Sequence, residues 1–346
     1  MLAQRELEIV EIIQARGGCS SKEVYDYLTS EISYATLKRD LSKLVSANCL
    51  RTIGTGRGTK YLISPVYELV QPINIDLYYE KEIDERDINR AFNLDLITEV
   101  LSEHSVFTST EIEGLALLQS KFEANIAQLT ENEHKKELER LAIDLSWKSS
   151  QIEGNTYSLL ETERLLKEKE TASGKTKEEA IMLLNHKDAI DFIIGHPGYL
   201  DPLKISKIED IHSLLTKELD VERNLRKKRV GISGTNYLPL DNEFQIMEAV
   251  RESCNVINGK DNVFERALLA LVLISYIQPF MDGNKRTARI VSNAILLDKN
   301  HCPLSFRTVD SIDYKKAMLL FYEQNNISGI KQIFLDQFEF AVRTYF

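Results

Sequence analysis

Residues 278–289 read QPFMDGNKRTAR and lie between two apolar stretches with helical periodicity. Pro279 is predicted to end the first helix, and the second is predicted to begin near Arg286. Between them, Gly283 and Asn284 allow backbone amides to converge at a helix N-terminus, which is a favourable position for a phosphate group. This stretch therefore predicts two helices joined by a loop that binds an anion.

Charged side chains around the loop indicate the same chemistry. Arg286 and Arg289 are three positions apart, on one side of the predicted helix, and carry fork-shaped donors suited to phosphate. Asp282 adjoins the loop and is a candidate ligand for Mg²⁺ that bridges phosphates. The residues alone favour a polyphosphate site, and the alternative is a capping loop with surface arginines.

From about residue 95 onward the chain is almost entirely helical in period, which predicts a mainly α fold. The most apolar run, from Ala267 to Ile277, is too short to cross a bilayer, which takes about 20 residues, and is predicted to be a core helix. Residues 226–239 are the exception, because they are rich in β-forming residues around a central glycine. They predict a β-hairpin that projects from the helical body, with an ordinary surface loop as the alternative. Candidate helices lie near 111–131, 133–150, 158–170, 176–194, 204–219, 243–258, 262–277, 286–299, 310–325 and 329–344.

The first 64 residues predict a separate domain. Three helical stripes, the second capped by Ser20-Ser21 and the third by Ser33, precede two β-rich runs around the glycine-rich loop 54–58. Three helices followed by a hairpin resemble a winged helix-turn-helix. The domain boundaries predicted from the sequence are therefore 1–64 for the winged helix, 65–94 for a connector and 95–346 for the helical domain.

The charge distribution favours DNA binding by the first domain. The whole chain has a net charge of −10, but residues 33–60 hold six basic residues and one acid. The third helix is expected to enter the major groove with Lys38, Arg39 and Lys43, while Arg57 at the tip of the wing reaches the DNA backbone or minor groove. Winged helices also serve as protein-docking modules, which is the alternative.

Composition limits the other classes of function. Hydrophobic residues make up 43% and charged residues 28% of the 346 residues, which is typical of a globular protein. The four cysteines are far apart in sequence and form no metal-binding pattern, so reduced thiols in a cytoplasmic protein are expected. The N-terminus lacks the apolar core of a signal peptide, and no membrane association is expected.

The sequence of residues 278–289 resembles the signature of Fic-family proteins, H-P-F-x-[DE]-G-N-G-R-x-x-R. A second segment, SSQIEGN at residues 149–155, is similar to the family's inhibitory helix, [ST]-x-x-x-E-[GN]. The segment 226–239 lies where the family has a flap over its target peptide. The resemblance covers roughly residues 95–346 and implies an all-helical Fic-type domain with a β-hairpin flap.

The resemblance implies transfer of AMP from ATP to a hydroxyl of a target protein docked along the flap. Asp282 would then hold Mg²⁺, and the anion nest would be formed by Gly283 and Asn284. Arg286 would contact the phosphates and Arg289 the γ-phosphate. Glu153 would compete for Arg289 and so inhibit transfer, because a carboxylate in the arginine fork displaces a phosphate of like charge.

Two positions depart from the family pattern. Gln278 occupies the position of the catalytic histidine, and an amide cannot accept a proton from the attacking hydroxyl at neutral pH. Lys285 replaces a glycine and adds a cation near the phosphates, as in the Doc branch, which transfers the γ-phosphate. Two histidines on predicted helices, His186 and His212, are expected to be structural rather than substitutes for the missing base.

The sequence therefore leaves three hypotheses. One is a nucleotide-binding regulator with impaired AMP transfer that acts on DNA through residues 33–60, and this is the one that the sequence favours. The others are an active adenylyltransferase that uses another base and a γ-phosphoryl transferase. A homodimer is expected because winged helices often bind paired half-sites.

Overall fold

The computed structural model describes residues 2–346, apart from the side chain of Arg57. It divides the chain into two compact units, residues 1–72 and 73–346. The division lies eight residues beyond the predicted end of the winged helix. The segment predicted as a connector, 65–94, is accordingly split between the two units.

The first unit contains the three helices and the hairpin that the sequence predicted, together with a short third strand and a fourth helix. Ser20 and Ser33 cap the second and third helices by accepting hydrogen bonds from the backbone N–H groups of Glu23 and Thr36. β1 and β2 each pair antiparallel with β3, in the order β1-β3-β2. The elements are α1 (Gln4–Ala15), β1 (Cys19–Ser20), α2 (Ser21–Tyr27), α3 (Tyr34–Ser46), β2 (Leu50–Ile53), β3 (Lys60–Ile63) and α4 (Pro65–Val70).

The second unit is helical. Most of its longer helices begin at a Ser, Thr, Asp or Asn whose side chain accepts a backbone N–H bond of the first turn,. A π-helical turn, Leu96–Leu101, precedes α6. The helices are α5 (Ile75–Tyr78), α6 (Ser109–Ile126), α7 (Glu131–Ile152), α8 (Leu159–Glu168), α9 (Lys177–Gly195), α10 (Ile205–Leu215), α11 (Glu243–Gly259), α12 (Val263–Ile277), α13 (Asn284–Asp298), α14 (Ser311–Gln324) and α15 (Ser328–Tyr345).

Two helices at the centre of this unit position the anion loop. Every residue of α12 from Ala267 to Ile277 is buried, which confirms the predicted core helix. α13 runs back beside α12 and is itself buried over most of its length. The loop between them is fixed at both ends by left-handed residues, Gln278 at φ 52° and Gly283 at φ 80°.

The β-hairpin predicted over residues 226–239 is not formed. Within the described residues, the backbone pairing of this segment is a single bridge between Leu238 and Ala91. The buried guanidinium of Arg226 instead donates to the carbonyls of Lys228 and Leu240, at 2.9 and 2.5 Å. The side chain of Arg226 thus binds one carbonyl within the segment and one just beyond its end. The segment itself is irregular, and we refer to residues 226–239 as the flap.

The structure also bears on the expectations for the cysteines and for membrane-spanning helices. The cysteines Cys19, Cys49, Cys254 and Cys302 are all unpaired and buried. Among residues 2–346, no helix combines the length and apolar character required to cross a membrane.

Candidate functional site

The loop between α12 and α13 is held by side-chain amides. Asn284 accepts a hydrogen bond from the Phe280 N–H at 2.8 Å and donates to the Phe280 carbonyl at 2.9 Å. Its Nδ2 also donates to Oε1 of Gln278 at 3.1 Å, while Nε2 of Gln278 donates to the Ser275 carbonyl at 2.6 Å. The two amides therefore brace the loop with each other, and neither supplies a basic atom.

The loop places the N-terminus of α13 at the candidate site. The first N–H groups of a helix have no partner within the helix and attract anions. Gly283 precedes them with positive φ, and a Cβ at this position would lie 3.4 Å from His212 and Thr216. Gly283 therefore suits both the left-handed backbone and the close packing at this position. It is the N-cap of α13, and the amides of Asn284 and Lys285 follow it in the first turn.

Arg286 brings a buried positive charge to this helix end. Its side chain is 2% exposed, and Nη2 donates to Oδ2 of Asp282 at 3.0 Å. Nη1 is buried without a hydrogen-bond partner among the described residues. Burial lowers the pKa of Arg286, against the opposing effect of Asp282. An anionic ligand would supply the missing acceptor.

Arg289 is fully buried and bound to the end of α7. Its Nε donates to Oγ of Ser149 at 2.7 Å, and Nη2 donates to the Ser149 carbonyl at 2.9 Å and to Oε1 of Glu153 at 2.8 Å. The guanidinium also lies over the ring of Tyr314, 5.3 Å from its centroid. Glu153, which the resemblance implies to be inhibitory, is thus bonded to the arginine that the resemblance implies to contact the γ-phosphate.

Glu153 has a second cation nearby. Nζ of Lys285 lies 4.0 Å from its Oε2, so the two carboxylate oxygens face two different positive charges. Burial alone would raise the pKa of Glu153, but the charges of Arg289 and Lys285 outweigh that effect and lower it. The carboxylate is therefore ionised at neutral pH and holds both cations.

α7 is anchored just before this carboxylate. Trp147, the one tryptophan of the chain, donates from Nε1 to the Tyr157 carbonyl at 3.0 Å. Ser149 and Ser150 are fully buried in the next turn. This hydrogen bond and the buried serines fix the C-terminal end of α7.

A cavity of about 820 Å³ adjoins the loop. This volume is in the range of small-molecule sites, roughly 300–1,000 Å³. Among the described residues it is lined by five basic and three acidic side chains, so its charge favours an anionic ligand. The basic ones are Lys81, Arg86, Lys285, Lys315 and Lys316, and the acidic ones are Glu82, Glu153 and Asp282.

The metal candidate is Asp282, whose carboxylate is 69% exposed at the mouth of the loop. No group of three or more His, Cys, Asp or Glu side chains that could hold a metal occurs in the described residues. Mg²⁺ typically takes one or two protein carboxylates together with substrate phosphates. Asp282 therefore fits a cation that arrives with a nucleotide, and it would hold that cation beside the phosphates and help neutralise their charge.

The histidines are structural, as the sequence predicted. His186 is fully buried in α9, and burial together with the charge of Arg289 lowers its pKa. His212 stacks on Phe280 at 3.7 Å between ring centroids, and its Nε2 hydrogen-bonds to the Asp282 carbonyl at 2.9 Å. Within residues 2–346, the cavity lining contains no histidine that could replace the missing base.

Sequence reasoning missed several residues at the site. Arg226 lies in a basic run, RKKR, that predicts an exposed surface, yet it is fully buried and its Nε donates to the Gln278 carbonyl at 2.6 Å. Tyr322 was not missed, because the resemblance to Fic proteins places it at the adenine pocket and its spacing also suits a core-facing stripe; it is buried in α14 and lines the cavity. The predicted connector, residues 65–94, was expected to pack on the helical domain without a role at the site, yet it contributes Tyr79 and Arg86 to the lining.

The DNA-binding candidates lie in the first unit. Lys38 and Arg39 are exposed on α3, with the ammonium of Lys38 5.8 Å from the centroid of the Tyr61 ring. Lys43 is exposed but bound to Oε1 of Glu6 at 2.6 Å, and this hydrogen bond raises its pKa. The side chain of Arg57 lies outside the described part of the chain. Lys38 and Arg39 are thus the described candidates for which the structure records no acidic partner.

Comparison with known proteins identifies two domains. Residues 202–296, which include the loop, match the Fic/DOC family, and residues 2–68 match the penicillinase repressor family. Glu153 lies outside both matched ranges.

Curated relatives match part of the chain. It is 29% identical over 174 residues to protein adenylyltransferase Fic of Nematostella vectensis, covering 48% of this chain and 40% of that protein. It is 26% identical over 175 residues to protein adenylyltransferase fic-1 of Caenorhabditis elegans, covering 48% and 34%. The chain therefore spans less than half the length of these relatives.

Solved structures share the fold. A fragment of Fic-1 from C. elegans superimposes with a TM-score of 0.60 at 19% identity, covering 68% of this chain and 72% of that chain. A Fic family protein from Desulfovibrio desulfuricans gives 0.58 at 18% identity, covering 68% and 74%. The chain thus shares the fold of these Fic structures over 68% of its length, residues 202–296 match the Fic/DOC family, and residues 2–68 match the penicillinase repressor family.

The Glu153 contacts predict a pH dependence of stability. Because the pKa of Glu153 is depressed in the folded state, its ion pair contributes at pH values above the ordinary 4.5 and is lost as the pH falls through the lower folded-state value,. Glu153→Gln should therefore reduce the loss of unfolding free energy below pH 4.5. Urea unfolding followed by Trp147 fluorescence measures this. The control is Glu113→Gln, an exposed residue of α6, and identical pH profiles for wild type and Glu153→Gln would contradict the prediction.

Proposed function

We propose that the chain is an autoinhibited ATP-binding protein with impaired AMP transfer, coupled to a DNA-binding winged helix. The observation that carries the nucleotide site is the pair of buried guanidiniums on α13, where Arg286 keeps Nη1 without a partner beside a helix N-terminus. Buried donors are almost always satisfied in folded proteins. A phosphate at this helix end would accept from Arg286 and from the first amides of α13.

Inhibition follows from competition for Arg289. The carboxylate of Glu153 accepts one hydrogen bond from Nη2 of Arg289 and faces Lys285 with its other oxygen. A γ-phosphate needs the same cations, so carboxylate and phosphate exclude each other. ATP then binds with its γ-phosphate displaced from Arg289 until Glu153 moves away.

Impaired transfer follows from Gln278. In the family the residue at this position takes the proton of the attacking hydroxyl, and general-base catalysis contributes a factor of about 10²–10⁴. The amide of Gln278 has no basic atom and is engaged with Ser275 and Asn284. A target protein docked along residues 226–239 would therefore lie beside the nucleotide, but no base would activate its hydroxyl.

Lys285 supports a second candidate function, γ-phosphoryl transfer. Its ammonium faces the carboxylate of Glu153 at 4.0 Å, the position that a terminal phosphate would take. A cation there stabilises negative charge that develops on a transferred γ-phosphoryl group. AMP transfer and phosphoryl transfer differ in which phosphate leaves ATP, so labels distinguish them.

Calorimetric titration with ATP and Mg²⁺ tests nucleotide binding. Glu153→Gly should bind more tightly than wild type, because Arg289 becomes available to the γ-phosphate. Arg286→Ala and Arg289→Ala in that background should weaken binding by roughly 10–100-fold, the loss of one charged hydrogen bond. Arg343→Ala, on the exposed surface of α15, is the control. Absence of saturable heat in both wild type and Glu153→Gly would rule out the proposed site.

Label transfer from ATP tests the chemistry. With the label on the α-phosphate, Glu153→Gly should give little transfer to protein hydroxyls, and Glu153→Gly combined with Gln278→His should give about 10²–10⁴ times more. Transfer by Glu153→Gly alone would mean that another base works. Transfer of a label on the γ-phosphate would favour γ-phosphoryl transfer as the function.

DNA binding is tested with duplex DNA of mixed sequence at several salt concentrations. Arg39→Ala should weaken binding and lower the salt slope by about 0.9, the value for one phosphate contact. Lys43→Ala should have a smaller effect because Glu6 already neutralises this charge. A duplex affinity unchanged by Arg39→Ala would favour the protein-docking role of the winged helix.

A further inference from the structure

Residues 84–90 lie against the flap and make three hydrogen bonds with it. Nδ2 of Asn236 donates to Oδ1 of Asp84 at 2.9 Å, and Nη2 of Arg86 donates to the Gly234 carbonyl at 2.8 Å. The Leu238 N–H donates to the Arg90 carbonyl at 2.8 Å. One carbonyl and one N–H of the flap backbone are thus bonded to another segment of the chain, residues 84–90, which we name the strap.

Arg86 anchors the strap in the interior. Its side chain is 4% exposed, and Nη2 lies 3.4 Å from Oε1 of Glu323, a fully buried carboxylate of α14. The other oxygen of Glu323 accepts from the Tyr78 hydroxyl at 2.7 Å, and the Glu323 carbonyl accepts from the Asn89 N–H at 2.8 Å. The guanidinium therefore links the flap to α14 through a buried ion pair.

An extended peptide that docks on a chain segment uses that segment's free backbone donors and acceptors and places its side chains in adjacent pockets. The strap makes one such backbone contact, from the Leu238 N–H to the Arg90 carbonyl, and the side chain of Arg86, in the wall of the cavity, binds the Gly234 carbonyl. A segment from another protein cannot use these two backbone groups while the strap is bonded to them.

We propose that the flap is a docking surface for an extended segment with an aspartate and, two residues later, an arginine, and that the strap is its internal occupant. Asn236 recognises the carboxylate, and the Gly234 carbonyl together with Glu323 recognises the guanidinium. A target segment of the same chemistry docks when the strap leaves. This inference rests on the proposed docking of a protein at the flap, and it requires no nucleotide.

Complementation in trans tests the proposal. Arg86→Ala in the full chain weakens the strap but leaves Gly234, Asn236 and Glu323 in place. A fluorescein-labelled peptide with the sequence of residues 80–91, EKEIDERDINRA, should bind this variant at least tenfold more tightly than wild type. The same peptide with alanine at the position of Arg86 should not bind. Fluorescence anisotropy measures both affinities without nucleotide. The outcome of this test therefore does not depend on whether the calorimetric test detects ATP binding.

Two results overturn the proposal. One is the absence of saturable peptide binding to a folded Arg86→Ala variant, with folding checked by Trp147 fluorescence. The other is equal affinity of the peptide for wild type and variant, which would place its binding elsewhere.

Asn236→Ala provides a second test if the unpaired Glu323 prevents Arg86→Ala from folding. Loss of the Asp84 contact should speed hydrogen exchange of the amides at residues 230–238 roughly fivefold, the effect of one net hydrogen bond. Glu85→Ala, a neighbouring exposed residue of the strap, should leave exchange unchanged. Unchanged exchange in Asn236→Ala, or an equal increase in both variants, would overturn the proposal.

Discussion

The buried guanidinium of Arg289 is the interaction on which the candidate site depends. A charge in a protein interior costs several kcal/mol of desolvation free energy, on the order of the stability of the whole domain, unless other groups compensate it. Here Ser149 and Glu153 at the end of α7 supply that compensation. The position of α7 against α13 and the state of the anion site are therefore coupled, because the same cation is shared by a structural carboxylate and a prospective phosphate.

The three most deeply buried arginines of the second unit are compensated in different ways. Arg226 is satisfied by backbone carbonyls alone, and Arg289 by a hydroxyl, a carbonyl and a carboxylate. Arg286 has one bond to a largely exposed carboxylate and an unpartnered Nη1. Arg226 is complete without a ligand and holds the flap. Arg289 holds α7 but, like Arg286, keeps a buried Nη1 without a partner among the described residues, and an anion beside α13 would supply missing acceptors.

Features that depend on local sequence could be predicted. The helix pair around residues 278–289 follows from periodicity, a proline and a glycine, and the structure places Gly283 at the left-handed position before α13. The contact between Glu153 and Arg289 joins residues 136 positions apart, and it was expected because each of two short segments resembles a Fic-family motif. Each of the two segments is recognisable within a dozen residues.

Features that depend on distant side chains could not be predicted. Residues 226–239 have strand propensity, but Arg226 satisfies their carbonyls and Arg86, 148 residues from Gly234, bonds to them as well. The acidic run around Asp84 resembles a solvated linker, because nothing local reveals that Arg86 meets a buried Glu323. Propensity describes a segment in isolation, whereas a buried charge is matched by whichever groups the fold brings beside it.

A histidine at position 278 could act as a general base, whereas Gln278 supports the structure of the loop but cannot act as one. Its amide bonds both the end of α12 and Asn284, so the loop keeps its shape without a titratable group. Nucleotide recognition in the proposed function rests on Arg286, Arg289 and the first amides of α13, none of which requires that residue to accept a proton. Transfer requires a base at position 278, and the amide cannot act as one. In the proposed function, nucleotide occupancy in competition with Glu153, rather than turnover, is therefore the quantity to which the rest of the chain responds.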